Sequence, residues 1–112
     1  MSINIHMSIE VDTGGEQPYV CDLYDRSMTH NVRAMWIKAG VYDAIYNSHG
    51  KLAGSISEEL SAGLRKMVAS PDEYTKLNPP NGWGDYERAV AFLDSLDIAC
   101  RQHPKATIYV WK

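Results

Sequence analysis

Apolar and polar residues alternate strictly along the first part of the chain. Residues 3–11 read Ile-Asn-Ile-His-Met-Ser-Ile-Glu-Val, so every odd position is apolar. A period of two predicts a strand with one buried and one solvated face, as in an antiparallel sheet. We expect all five apolar side chains to face the helices of the domain. They are Ile3, Ile5, Met7, Ile9 and Val11.

Two further segments resemble strands. Asp12-Thr13-Gly14-Gly15 ends the first strand, because a Gly-Gly pair supplies the positive φ that a turn needs. Residues 19–24 form a second, weaker strand candidate that could return as a hairpin partner. Residues 107–111 alternate again and predict a final strand.

Helical spacing dominates the middle of the chain. The pattern predicts a helix near residues 30–39, with Thr29 as its N-cap and Gly40 at its end, and a short turn at 41–46. Two capping-box patterns, at residues 55–58 and 70–73, predict the starts of two more helices, and Pro71 suits a first helical position. The longest helix is expected over residues 85–103, before Pro104. Trp36 is expected in the core.

This order of elements predicts an α+β fold. We expect a small antiparallel sheet, built from the N-terminal strand or hairpin and the C-terminal strand, with three to five helices packed on one face. The 112 residues suit one globular domain spanning residues 1–112.

Charge and composition narrow the function classes. The chain has 14 acidic and 11 basic residues and a formal charge of −3, with no basic cluster. This disfavours nucleic acid and anionic membrane as partners. The N-terminus lacks the pattern of a secretory signal, and no segment is long and apolar enough to span a bilayer. We therefore expect a cytoplasmic protein in which Cys21 and Cys100 are reduced, small buried residues.

The first candidate site is the segment from Tyr24 to Asn31, interpreted as a loop that enters a helix. His30 suits proton transfer near neutral pH, and Asp25 or Asp22 could orient it. Alternatively, Thr29 caps the helix and His30 simply packs at the surface. The candidate ligand-binding residues of this segment are Tyr24, Asp25, Thr29, His30 and Asn31.

The second candidate site is the segment from Asn78 to Tyr86, which also enters a helix. Trp83 presents a flat face that could stack on a ring, and glycines flanking a tryptophan suit close approach to a ligand. Alternatively, Trp83 is a plug over the helical layer. The candidate ligand-binding residues here are Asn81, Gly82, Trp83, Gly84 and Tyr86.

Other chemistry has little support in the sequence. The four histidines show no paired spacing, there is no Cys-x-x-Cys, and glycine-rich nucleotide fingerprints are absent, so we expect no metal and no cofactor. Asp97 falls on the face of the last helix that we expect to be buried. Either that helix end is exposed, or Asp97 pairs with His30, Arg33 or a backbone N–H.

Three motifs carry a resemblance to a known group. Asp25-x-x-Met28-Thr29-His30-Asn31-Val32, Ala39-Gly40-Val41-Tyr42-x-Ala44-Ile45-Tyr46 and Pro80-Asn81-Gly82-Trp83-Gly84-x-Tyr86 resemble motifs in a group of small, uncharacterised bacteriophage and bacterial proteins. The resemblance covers roughly residues 20 to 104 and leaves out the N-terminal strand. It implies a soluble, phage- or bacterium-encoded protein of the bacterial cytoplasm, and it implies no catalytic role.

Three functions are therefore open. The first is binding of a polar or nucleotide-like small molecule between the 24–31 and 78–86 loops. The second is interaction with a host or virion protein through an exposed patch, which the seven Tyr, three Trp and five Met would suit. The third is a small enzyme with His30 as general acid or base, which ranks last because no complete catalytic constellation is visible. The sequence does not determine the oligomeric state.

Overall fold

The computed structural model describes residues 2–80 and 85–112, and it confirms the predicted α+β class. Three antiparallel strands form a sheet with the order β2-β1-β3. The strands are β1 (Ser2–Val11), β2 (Tyr19–Thr29) and β3 (Thr107–Trp111). The α-helices of the described residues are α1 (Arg33–Ala39), α2 (Tyr42–Tyr46), α3 (Ser57–Ala69), α4 (Pro71–Thr75) and α5 (Tyr86–Gln102), and short 3₁₀ turns span His30–Val32 and Ala53–Ser55.

Only the first part of the central strand β1 has its apolar side chains buried. Ile3, Ile5 and Met7 are fully buried, as predicted, but Ile9 and Val11 are exposed. The prediction for these two residues was wrong because β3 is short and pairs only with residues 4–8 of β1. Beyond that point the hairpin of β1 and β2 continues as a two-stranded ribbon.

A β-bulge marks the same level of the hairpin. Met7 pairs with Tyr24 and Ser8 pairs with Asp22, so Leu23 is the extra residue on β2. A bulge shifts the alternation of its strand by one residue. Before Leu23 the even-numbered residues of β2 face one side of the sheet, and after Leu23 the odd-numbered residues face that side. Tyr24 and Arg26 share the side of Ile5, whereas Asp22 and Asp25 share the side of His6.

The helix starts follow the sequence signals only in part. Thr29 caps the 3₁₀ turn His30–Val32, because its Oγ1 accepts a hydrogen bond from the Asn31 N–H at 3.3 Å, whereas α1 itself begins at Arg33 without a side-chain cap. The capping box at Ser55 is wrong: the Ser55 hydroxyl donates to the Leu52 carbonyl at 2.6 Å, and α3 begins only at Ser57. Ser70 makes no side-chain cap either, although Pro71 occupies the first turn of α4 as predicted.

One hydrophobic cluster joins the strands to the helices. Buried residues of β1 and β3 pack with those of α1, α3 and α5. Trp36 lies in this core beside Phe92, with ring centroids 5.5 Å apart, which confirms its predicted burial. Its indole N–H has no hydrogen-bond acceptor among the described residues. No described helix is both long and apolar enough to cross a bilayer.

Asp97 is buried, so an exposed helix end does not explain it. Its carboxylate accepts a hydrogen bond from Ser61 at 2.8 Å and lies 3.1 Å from the guanidinium of Arg101, one turn further along α5. The alternative of a pairing with His30, Arg33 or a backbone N–H is also wrong, because the partners are Ser61 and Arg101. The nearby Cys100 is a free, buried thiol, and burial, together with the negative charge of Asp97, raises its pKa to about 12.

The two outer edges of the sheet differ in whether a further backbone segment is hydrogen-bonded to them. Residues 50–53 run along the outer edge of β3, where the Gly50 N–H donates to the Ile108 carbonyl at 2.7 Å and the Ile108 N–H donates to the Lys51 carbonyl at 2.9 Å. The His49 ring adds a further acceptor, Nδ1, for the Val110 N–H. In the described part of the chain, no backbone segment pairs with the outer edge of β2.

Candidate functional site

The first candidate segment is a strand and not a loop. Residues 24–29 belong to β2, and only His30 and Asn31 lie in the turn that leads into α1. The propensity of Tyr24-Asp25-Arg26-Ser27 for irregular structure is overridden by the pairing of ten residues of β2 with β1. Because side chains alternate along a strand, Tyr24 and Asp25 point to opposite sides of the sheet.

Tyr24 lies in a groove between β2 and α5. The Ser95 hydroxyl donates to the Tyr24 hydroxyl at 3.3 Å, and burial raises the pKa of Tyr24 above its ordinary value. The groove has a volume of about 480 Å³ and a mixed polar and apolar lining. Its lining includes Leu23, Tyr24, Arg26, Asp94, Ser95 and Ile98.

Asp25 and Asp22 lie on the other side of the sheet, and each has a partner on β1. The Asn4 amide donates to the Asp25 carboxylate at 2.8 Å, and His6 Nε2 lies 2.9 Å from the Asp22 carboxylate. The expected pairing of Asp22 or Asp25 with His30 is therefore not formed. The aspartate-paired histidine is His6, which the alternation of β1 had marked only as a polar position.

His30 joins an aromatic cluster near the end of β2. Its Nε2 lies 3.5 Å from the Tyr42 hydroxyl, and its ring is 5.7 Å from that of Tyr46. The two tyrosine rings stack at 5.1 Å, and Lys112 places its ammonium 3.6 Å from the centre of the Tyr46 ring. Among the described residues, no carboxylate is paired with His30. The predicted proton-transfer role thus lacks the orienting group that it requires.

The second candidate segment falls partly outside the described residues. Asn81, Gly82, Trp83 and Gly84 are not described, so their predicted role stays a prediction. Tyr86 begins α5, and its hydroxyl donates to the Met67 carbonyl at 2.6 Å. The Asn78 side chain accepts from the Tyr86 N–H at 2.9 Å. The first bond ties Tyr86 to the end of α3, and the second ties it to the segment that follows α4.

The described candidate residues therefore fall into separate groups. Tyr24 contacts α5, Asp25 contacts β1, His30 contacts α2 and Tyr86 contacts α3. Residues 2–80 and 85–112 also contain no group of three or more His, Cys, Asp or Glu side chains that could hold a metal ion.

No protein-family model, curated protein or solved structure matches this chain significantly. The resemblance to the phage and bacterial group stays a prediction.

The most unusual surface is one that the sequence pattern did not single out. Every residue from Ile9 to Val20 is exposed, and we call residues 9–20 the arm. The molecule measures 53 × 26 × 18 Å, and its radius of gyration of 15.0 Å exceeds the roughly 13 Å of a compact chain of this length. The arm belongs to the two-stranded end of the hairpin.

The arm carries apolar side chains that have no partner in the described structure. Ile9, Val11, Tyr19 and Val20 are 37%, 45%, 64% and 51% exposed. Val11 pairs with Tyr19 across the hairpin, and Ile9 pairs with Cys21, which places Ile9, Val11 and Tyr19 on one side of the ribbon. Val20 pairs with Glu10 and therefore lies on the opposite side. The signal in the sequence was the length of the alternation, because β1 is longer than the strand β3 that covers it.

Proposed function

We propose that this protein is a protein-interaction module that binds its partner through the arm. The observation that supports the proposal is the group of exposed apolar side chains at Ile9, Val11, Tyr19 and Val20. Single exposed apolar residues are ordinary, but neighbouring ones on a projecting ribbon are typical of surfaces that a partner covers. The resemblance to the phage and bacterial group directs the proposal towards a host or virion protein as that partner.

The alternatives have weaker support from the described residues. A small-molecule site between the 24–31 and 78–86 segments requires Asp25 and His30 to converge. Asp25 instead bonds to Asn4 on one side of the sheet, and His30 contacts Tyr42 on α2. An enzyme with His30 as acid or base lacks a carboxylate partner for that histidine among the described residues.

Site-specific photocrosslinking tests the interaction. A benzoylphenylalanine at Val20 in the cell that makes the protein is expected to give one discrete adduct that contains a second protein. Val68 on α3 is the matched control, because it is also a valine and is 58% exposed, against 51% for Val20. The adduct should weaken when Val11→Ser and Tyr19→Ser are added at unchanged thermal stability. Equal adducts at Val20 and Val68 would contradict an interaction through the arm.

A second candidate is the binding of a small polar molecule, and the groove between β2 and α5 favours it. Tyr24 and Ser95 offer hydroxyls there, Arg26 offers a cation and Asp94 offers an anion. A few polar groups that converge on a concave surface are typical of small-molecule sites. This groove includes one residue of the set predicted from the sequence, Tyr24.

Native mass spectrometry of protein purified from its host tests this second function. A retained molecule of defined mass is expected, and Tyr24→Phe, which removes only a hydroxyl, should lose it. Loss in Trp83→Ala and His30→Ala, with retention in Tyr24→Phe, would favour the site predicted from the sequence instead. A spectrum with the bare chain mass in every variant would argue against small-molecule binding.

A further inference from the structure

The outer edge of β2 is the long unpaired strand edge of the described structure. It runs for eleven residues, from Tyr19 to Thr29, and the described chain contributes no backbone hydrogen bond to it from outside the hairpin. Proteins ordinarily cover, shorten or charge such an edge, because it offers a row of N–H and C=O groups to any extended chain. Residues 50–53 cover the opposite edge at β3. The β2 edge is thus the place where the sheet can accept another strand.

The charge of the hairpin is strongly one-sided, because it carries five carboxylates and one basic side chain, Arg26. Residues 2–25 contain five carboxylates and no Lys or Arg, although the whole chain has 14 acidic and 11 basic residues. The remainder of the chain therefore has nine acidic and eleven basic residues. The five carboxylates belong to Glu10, Asp12, Glu16, Asp22 and Asp25.

The two sides of β2 differ in chemistry. Asp22 and Asp25 lie on the side of His6, and the Asp22 side chain is 69% exposed. Tyr19 lies on the other side, together with Val11. A strand added at this edge would alternate its side chains between the side of the two aspartates and a mainly apolar side on which Arg26 is the one charged residue of β2.

We propose that the outer edge of β2 binds an extended, basic segment of a partner protein as a fourth strand of the sheet. This inference rests on the proposed interaction through the arm and specifies its mode. Backbone hydrogen bonds to β2 would hold the segment, and alternate side chains would select it. Lys or Arg would lie opposite Asp22 and Asp25, and apolar residues would lie opposite Tyr19 and Cys21.

Charge argues against a second copy of this chain as the occupant. Two hairpins side by side would bring two sets of five carboxylates together against only two basic side chains, Arg26 of each copy. Like charges that face each other across an interface suppress a pairing, whereas opposite charges steer and stabilise it. A basic segment fits the same edge with complementary charge.

Peptide binding measured by NMR tests the inference on the whole protein. The probe is an eleven-residue peptide in which Lys alternates with Val and Thr, and the matched control has Glu in place of every Lys. The Lys peptide is expected to shift the amide signals of β2 more than those of β3, and its affinity should fall as salt rises. Two further Lys peptides carry N-methyl groups at alternate residues, one at the odd and one at the even positions. Only the peptide whose free N–H groups face β2 should bind.

Charge reversal provides the second arm of the test. Asp22→Lys with Asp25→Lys should weaken binding of the Lys peptide by about tenfold, because two exposed ion pairs are replaced by repulsions. The same double reversal should make the Glu peptide the better ligand. Glu58→Lys with Glu59→Lys, at exposed positions of α3, changes the net charge equally and should leave both affinities nearly unchanged.

Three results would overturn the inference. They are equal binding of the Lys and Glu peptides, shifts that avoid β2, and self-association of the protein at micromolar concentration in sedimentation. Its failure can be told apart from failure of the proposed function. An adduct at Val20 with no binding of the Lys peptide would leave the arm as an interaction surface and remove strand addition by a basic segment. Absence of both would remove both.

Discussion

Ile5→Asp is expected to abolish cooperative folding, whereas Ile9→Asp, on the same side of the same strand, is expected to leave the protein folded. Ile5 is fully buried in the core and Ile9 is exposed at the base of the arm. An unpaired carboxylate in a dry core costs several kcal/mol, and the stability of a domain is only about 5 to 15 kcal/mol. Circular dichroism during thermal unfolding distinguishes the two variants.

Comparing Ile5→Asp with Ile9→Asp separates the effect of burial from the effect of placing an aspartate in β1. Both replacements change isoleucine to aspartate in β1, and both positions belong to the apolar set of the alternation. Asn4→Asp is a less clean control, because Asn4 donates to the Asp25 carboxylate at 2.8 Å and an aspartate there would be repelled. Equal loss of the unfolding transition at positions 5 and 9 would mean that the arm is covered within the folded monomer.

The second large effect is expected for Gly63→Ala in α3. A Cβ built at Gly63 lies 2.0 Å from Cγ1 of the buried Val41 and 3.2 Å from the Ala39 carbonyl oxygen. Alanine favours a helix by about 1 kcal/mol over glycine, but overpacking of a buried contact typically costs 1 to 3 kcal/mol and sometimes more. We therefore expect a net loss of about 2 kcal/mol in the free energy of unfolding, measured with urea.

Two further variants give this prediction a control. Gly15→Ala changes the same residue type in the turn of the arm, where the nearest contact of a new Cβ is an ordinary 3.7 Å, and it should be nearly neutral. Val41→Ala in the Gly63→Ala background should recover part of the loss, because it removes the clashing methyl groups. A gain in stability from Gly63→Ala alone would show that the α3 contact with residues 39–41 is looser than described.

Most of the fold could be predicted from the sequence, because the periodicities that indicate strands and helices are local. Local patterns were enough to predict the alternation at residues 3–7 and the burial of Met35 and Trp36. They also predicted the end of α1 at Gly40, whose φ is +80°. The misassigned details depend on distant residues. The exposure of Ile9 could not be known without the length and register of β3.

The candidate site was less predictable, for a related reason. Residues 24–29 look irregular because Asp and Ser are poor strand formers, yet pairing with β1 holds them extended. The pairing of Asp22 with His6 depends on the bulge at Leu23, which no local pattern indicated. The Ser55 capping box failed because a competing acceptor, the Leu52 carbonyl, lies within reach.

The position of β1 between β2 and β3 also determines when the molecule can fold. Residues 4–8 pair with residues 107–111, so the central strand gains its second neighbour only after about eighty further residues have been made beyond the hairpin. At a synthesis rate of about 5 to 20 residues per second, the hairpin waits on the order of 5 to 20 seconds for that strand. During this interval β2 is the only strand that pairs with β1, and Ile3, Ile5 and Met7 lack the core contacts that β3 supplies. Completion of this sheet is therefore expected to wait for the synthesis of residues 107–111.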